Sequence, residues 1–159
     1  MALYEIHPCK EWERRKQKEG IPARVDIFIQ TTFKGNFAKG EGAYGILLQV
    51  MRGGIPKTKE HYAGWSGTAC QRLNVRAAAE ALNYMTIPCD VTIHTGSCYV
   101  KSVAESGDPK GRHEDIWMAF FAARNRMESV SIQQEGRHEY SAYLKTELEK
   151  KKYTVVCDK

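Results

Sequence analysis

The chain has 159 residues, of which 42% are hydrophobic and 27% charged, with a formal net charge of +5. This length and composition are typical of one soluble globular domain with a core of its own. The longest apolar runs, such as 46–48, are too short to span a bilayer, and the first residues lack the pattern of a secretion signal. We therefore expect a cytoplasmic protein that does not contact a membrane.

The cysteines and histidines do not form a metal or disulfide pattern. Five cysteines occur without a Cys-x-x-Cys pair, and five histidines occur without a His-x-x-x-His pair. This argues against a disulfide framework and against a zinc site with thiolate ligands. The mild positive charge permits binding of a polyanion such as nucleic acid, although many basic proteins bind none.

Residues 1–24 differ from the rest and are predicted to be a charged N-terminal extension. The run 11–19 favours a helix, and Trp12 is its only large apolar side chain. Two interpretations stay open: a poorly ordered leader, or an arm that contacts a partner or a second copy of the chain. The globular domain is predicted over 25–150, followed by a basic tail over 151–159.

The domain begins with three predicted strands. The apolar, β-branched run from Val25 to Ile29 predicts a central strand, and further strands follow near 43–52 and 57–65. Glycines between 34 and 42 allow tight turns or the close approach of another group. An ordinary hairpin with a long loop is the simplest interpretation of this stretch.

Helices and strands alternate in the rest of the chain. In order, the sequence predicts a helix over 68–85, a strand over 90–95, a short helix from 97 to 103, a helix over 113–127, a strand over 130–132 and a helix over 138–151. Thr68 and Ser97 are expected to cap the helices that follow them. A helix between the third and fourth strands demands a crossover. We therefore predict an α/β fold with a mixed five-stranded sheet and helices on both faces.

This order, together with five short strings, resembles the ribonuclease H family over roughly residues 25–150. The strings are Val25-Asp26-Ile27-Phe28, Lys34-Gly35-Asn36, Gly42-Ala43-Tyr44-Gly45, Thr95-Gly96-Ser97-Cys98-Tyr99-Val100 and Asp115-Ile116-Trp117. The resemblance implies a ribonuclease H-like fold. It also implies an endonuclease site in which four acidic residues hold two Mg²⁺ ions at a phosphodiester.

The four positions that the resemblance assigns to these acidic residues hold none here. They are Gln30, Asn74, Gly96 and, with a looser alignment, Ala142. Neutral amides and bare backbone do not balance the charge of a divalent ion. The nearest acidic residues are Asp26, Glu80 and Glu139, of which only Glu139 is expected to approach the site. The sequence therefore predicts a degenerate member with no catalytic residues and no bound magnesium.

The first functional hypothesis is an inactive module that still binds nucleic acid, either RNA/DNA hybrid or duplex. The resemblance places the following residues towards the nucleic acid: Gly35, Asn36, Gln71, Arg72, Ser97, Tyr99, Arg137 and His138. Small and amide side chains suit a shallow minor groove. The alternative interpretation is that these residues only fill turns and helix caps.

Two other hypotheses remain open. In the first, the chain binds a protein partner or forms a homodimer through the cleft of the former metal site, the N-terminal segment or the run around Val155 and Val156. The two valines then pair with a sheet edge of this chain or of a partner. Alternatively, the chain is an active ribonuclease with a rearranged site built from Glu139, His138 and His94.

Overall fold

Residues 23–158 are described in a computed structural model of the chain. In chain order the elements are β1 (Ala23–Asn36), β2 (Lys39–Arg52), β3 (Ile55–Thr68), α1 (Cys70–Asn83), β4 (Cys89–Thr95), α2 (Cys98–Ser106), α3 (Glu114–Asn125), β5 (Ser129–Gln134), α4 (Ser141–Glu149) and β6 (Val155–Cys157). The predicted helix over 11–19 lies outside the described residues, as does most of the predicted extension. The last two residues of the predicted extension, Ala23 and Arg24, belong to β1.

The six strands form one mixed sheet in the order β5-β4-β1-β2-β3-β6. The first three strands are antiparallel neighbours, whereas β4, β5 and β6 each pair with a parallel neighbour. The mixed sheet is confirmed, but the prediction of five strands is wrong by one. The sixth strand has only three residues, all exposed, and it is the segment whose pairing with a sheet edge the sequence analysis left open.

The predicted long loop between the first two strands is wrong. β1 continues to Asn36 and β2 begins at Lys39, so only a two-residue turn separates them. Gly40 explains the difference, because a Cβ atom there would lie 2.6 Å from the Lys34 carbonyl oxygen and 2.7 Å from the Phe33 ring. This glycine therefore serves a close approach within the hairpin rather than a flexible loop.

The sheet has a large and a small apolar face. Alternating residues such as Ile27 and Ile46 join the main core beneath α1 and α3, where Trp117 and Phe120 are fully buried. On the other face, Phe28 and its neighbours pack against Leu144 of α4. Because successive side chains of a strand point to opposite faces, helices cover both sides of the sheet as predicted.

One of the two predicted helix caps is confirmed. Ser97 Oγ accepts a hydrogen bond from the Val100 amide at 3.1 Å and caps α2. Thr68 does not cap α1, because it is the last, buried residue of β3. The first amide of α1 instead donates to the Phe37 carbonyl at 2.8 Å, which joins the tip of the β1–β2 hairpin to the helix.

The end of the chain completes the sheet. β6 lies parallel to β3, and the flanking backbone adds hydrogen bonds from the Gly64 amide to Thr154 at 3.1 Å and from the Asp158 amide to Ser66 at 2.8 Å. Of the two predicted pairings for this segment, the structure therefore contains the one with the chain's own sheet. Within residues 23–158, no helix is long and apolar enough to span a membrane.

Candidate functional site

A small cleft lies where β4 ends beside β1. Its volume is about 60 Å³. Gln30 and Gly96 both line it, so the structure brings together two of the four positions that the sequence singled out. Their neighbours in the cleft are Ile29, Thr31, Thr95, Glu135, Gly136, His138 and Ser141.

The other two positions do not line the cleft. The Asn74 amide donates to the Cys70 carbonyl at 3.0 Å, so this donor is used within its own helix. Ala142 is exposed on α4, next to Ser141 of the cleft lining. Among residues 23–158, the Gln30 side chain forms one hydrogen bond, a long one of 3.4 Å that its amide donates to the Thr31 carbonyl.

Glu135 is the carboxylate of the cleft, and sequence reasoning missed it. Its Oε2 lies 2.6 Å from His94 Nδ1, and the other ring nitrogen lies 3.0 Å from Asp26 Oδ1. Phe28 stacks on the same imidazole with ring centroids 4.3 Å apart. The parallel pairing of β5 with β4 is the signal that could have identified Glu135. The ends of two parallel neighbours lie at the same edge of the sheet, so the residues that follow them lie close together.

His138, predicted to face nucleic acid, lines the cleft but is largely buried. The residue is 8% exposed. Its Nε2 donates to the Ile29 carbonyl at 2.9 Å, and its Nδ1 accepts from the Tyr140 amide at 3.1 Å. Both ring nitrogens are therefore committed to the backbone. The neighbouring Arg137 and Glu139 are exposed, and neither lines the cleft, so the predicted approach of Glu139 is replaced by Glu135.

The side chains of the cleft do not suit a pair of magnesium ions. Mg²⁺ prefers carboxylate oxygens in octahedral geometry, and two ions need several shared carboxylates. Among the residues that the structure describes, Glu135 is the one carboxylate that lines the cleft, and it already pairs with His94. In the part of the chain that the structure describes, no group of three or more His, Cys, Asp or Glu side chains is arranged to hold a metal ion.

Glu80 also lies away from the cleft and serves the packing of α1 on the sheet. Its carboxylate accepts hydrogen bonds from Tyr44 and from Tyr84, and His61 Nε2 lies 2.7 Å away. Burial alone would raise the pKa of Glu80, but the hydrogen bonds from His61 and the two tyrosines outweigh it and lower the pKa. This acidic residue is therefore a structural anion.

Arg72 is held inside the fold rather than presented to a ligand. Its guanidinium donates two bonds to Asp115, at 2.8 and 2.7 Å, and a third to Asp158 at 2.8 Å. Asp158 also accepts from Arg76 at 3.0 Å, and Arg76 lies over the Trp65 ring at 3.6 Å. The C-terminal segment thus occupies an arginine that the resemblance placed towards nucleic acid.

Acid should destabilise the fold through these two aspartates. Arg72 lowers the pKa of Asp115 to about 2, and despite burial the bonds from Arg72 hold the pKa of Asp158 below its usual value. The unfolded chain therefore takes up protons first, so stability is complete above about pH 4 and is lost as the pH falls towards 2. Urea unfolding at several pH values checks this. The same pH dependence in Asp158→Asn would contradict a role for Asp158.

The remaining predicted contacts divide into two groups. Ser97 caps α2, and the Tyr99 hydroxyl accepts a hydrogen bond from the Trp117 indole at 3.0 Å, so both support the fold. A second group is solvent-exposed, as a surface contact requires, and consists of Gly35, Asn36, Gln71 and Arg137. Phe37, which sequence reasoning did not select, follows Asn36, lines a pocket with Gln71 and is 75% exposed.

Solved structures share this architecture. The chain superimposes on an RNase H1 from the halophilic archaeon Halobacterium salinarum with a TM-score of 0.64 and 18% identity, covering 80% of this chain and 98% of that one. It also resembles LC11-RNase H1, solved in complex with an RNA/DNA hybrid, with a TM-score of 0.58 and 14% identity over 74% of this chain and 92% of that one. The protein therefore has the ribonuclease H-like fold.

Sequence similarity defines the family more closely. No protein-family model matches the chain. The chain is 34% identical over 116 residues to a ribonuclease H of Herminiimonas arsenicoxydans, which covers 65% of this chain and 75% of the relative. It is 30% identical over 117 residues to the ribonuclease HI of Pasteurella multocida, covering 65% and 71%. The chain belongs to the ribonuclease H family.

Proposed function

We propose that this protein is a catalytically inactive member of the ribonuclease H family that binds nucleic acid, either RNA/DNA hybrid or duplex. The observation that carries the proposal is the composition of the cleft. Gln30 and Gly96 stand where the resemblance requires carboxylates, and Glu135, the one carboxylate of the lining within residues 23–158, pairs with His94. A site without a set of carboxylates does not retain the two metal ions of the family's reaction.

Several observations support retained binding. A fold relative, LC11-RNase H1, was solved with an RNA/DNA hybrid. This chain carries a net charge of +5, and Asn36, Gln71 and Arg137 are exposed. Removing negative charge from the cleft also reduces its repulsion of phosphates when no metal is bound. Loss of hydrolysis and retention of binding are therefore compatible.

Binding should weaken steeply with salt, and hybrid should remain intact. Because each neutralised phosphate releases counterions, we expect the logarithm of the association constant to fall against the logarithm of salt with a slope of about −3. The slope is measured by fluorescence anisotropy of a labelled hybrid at salt concentrations from about 50 to about 300 mM. Arg137→Gln should reduce its magnitude by about 1 if Arg137 contacts a phosphate.

Two outcomes would contradict the proposal. Cleavage of the hybrid in Mg²⁺ or Mn²⁺ would show an active enzyme, and its loss in Glu139→Gln would favour the rearranged site that the sequence left open. Binding that does not respond to salt, or no binding at low salt, would remove nucleic acid as the partner. A matched control is Lys145→Gln on α4, which removes the same charge from another exposed position.

A further inference from the structure

The tip of the β1–β2 hairpin presents an aromatic ring to solvent. Phe37 is 75% exposed, and its ring meets Phe33 at an angle of 63° with centroids 6.1 Å apart. A single exposed apolar side chain is common on protein surfaces and needs no explanation by itself. Here the surroundings of the ring matter.

The backbone that carries this ring is held by hydrogen bonds and not by burial. The Phe37 carbonyl accepts from the Cys70 amide at 2.8 Å, and Asn36 Oδ1 accepts from the Ala38 amide at 2.8 Å. The hairpin tip is therefore tied to the start of α1. A ligand that stacks on Phe37 would meet a turn whose backbone is already ordered, which lowers the cost of ordering on binding.

The ring borders a pocket of about 350 Å³ between the hairpin tip, the start of α1 and the loop before α3. Gln71, Arg112 and His113 line the pocket with Phe37. This volume lies in the range of sites for small organic groups. The pocket therefore combines an apolar ring with polar side chains that come from a different part of the chain.

The polar groups of the pocket are available to a ligand. Within residues 23–158, the Gln71 amide and the Arg112 guanidinium form no hydrogen bond or ion pair through their side chains. Burial, with Arg72 and Arg112 nearby, lowers the pKa of His113, so its imidazole is neutral at pH 7. Arg112 supplies positive charge at the pocket, and the exposed Lys34 and Lys39 add to it along the hairpin.

From this combination we infer that the pocket receives an unpaired nucleobase, which stacks on Phe37 while Gln71 hydrogen-bonds to its edge and Arg112 contacts the adjoining phosphate. This inference rests on the proposed function and adds a preference to it. Every base has a face that stacks on an aromatic ring, whereas a base inside a duplex is stacked on its neighbours and does not reach the pocket. A strand with unpaired nucleotides should therefore gain a contact that a blunt duplex lacks.

Phe37→Ala tests the inference with two probes of equal length, a single-stranded DNA oligonucleotide and a blunt RNA/DNA hybrid. Stacking on one aromatic side chain contributes enough that we expect about a tenfold loss of affinity for the single strand and less than a twofold loss for the hybrid. Phe37→Trp should retain binding. Met118→Ala is the matched control, because Met118 is 66% exposed on α3 and lies outside the pocket. Fluorescence anisotropy at one fixed salt concentration measures all four proteins.

The outcomes separate this inference from the proposed function. Equal losses for both probes, or no loss for the single strand, would overturn the base pocket while leaving hybrid binding intact. A wild-type protein that binds the single strand through Phe37 but does not bind the hybrid would support the pocket and contradict the hybrid-binding function. Unchanged thermal unfolding of Phe37→Ala, as expected for an exposed turn, excludes a folding defect.

Discussion

Asp158→Ala should lower the free energy of unfolding by about 3 kcal/mol, because it leaves two arginines with less compensation in a largely dry site. The Asp158 side chain is 6% exposed, and those of Arg72 and Arg76 are 17% and 20% exposed. The change also removes the side-chain anchor next to β6, whose pairing covers the edge of β3. Urea unfolding at pH 7, followed by circular dichroism, measures the loss.

Asp115→Ala is the matched control for this prediction. Asp115 bonds the same guanidinium of Arg72, but its side chain is 68% exposed. Because water solvates the charges of an exposed ion pair when the pair is broken, we expect the control to lower the free energy of unfolding by less than about 1 kcal/mol. Equal losses for the two variants would contradict the larger contribution of the buried Asp158. An Asp158 variant that unfolds like wild type would show that this anchor does not stabilise the fold.

Local patterns account for what the sequence predicted correctly. The β-branched run of β1, the apolar face of α3 and the Ser97 cap each depend on residues within one element. The crossover after β3 follows from the order of those elements, so the mixed sheet with helices on both faces was also predictable. The alignment placed Gln30 and Gly96 in one cleft for the same reason, since both lie at defined positions of neighbouring strands.

What the sequence did not reveal depends on contacts between distant residues. Arg72 and Asp158 are 86 positions apart, and no local pattern indicates that the chain end occupies that arginine. His138 likewise reaches the Ile29 carbonyl across 109 positions, which turns an expected surface residue into a buried one. Phe37 escaped notice for a different reason: a turn residue joins no periodic pattern, so only the structure shows the pocket beside it.

Placing carboxylates at the positions that the family fills with acidic residues should create a site that binds Mn²⁺. We expect Gln30→Asp, Asn74→Glu and Gly96→Asp together to bind Mn²⁺, because carboxylates supply the charge and the oxygen ligands that amides and glycine lack. Gly96 has room for the change, since a Cβ atom there would have the Glu135 carbonyl oxygen as its nearest neighbour, at 3.6 Å. Titration calorimetry with Mn²⁺ measures binding directly. For the site to form, the Asn74→Glu side chain must point away from Cys70, whose carbonyl accepts the hydrogen bond from Asn74.

The stability of this triple variant provides a second readout. Without metal, the three added carboxylates repel one another and should lower the free energy of unfolding, and Mn²⁺ at one hundred times its dissociation constant should raise that free energy by about 3 kcal/mol. A control with three carboxylates at exposed, scattered positions, Thr58→Asp, Ser102→Asp and Ala122→Glu, should show neither effect. If the triple variant folds but ignores Mn²⁺, the alignment of these positions with the family's acidic residues is wrong. If the wild-type protein binds Mn²⁺ as tightly as the variant does, the cleft holds metal without those carboxylates, and the proposed loss of catalysis loses its physical basis.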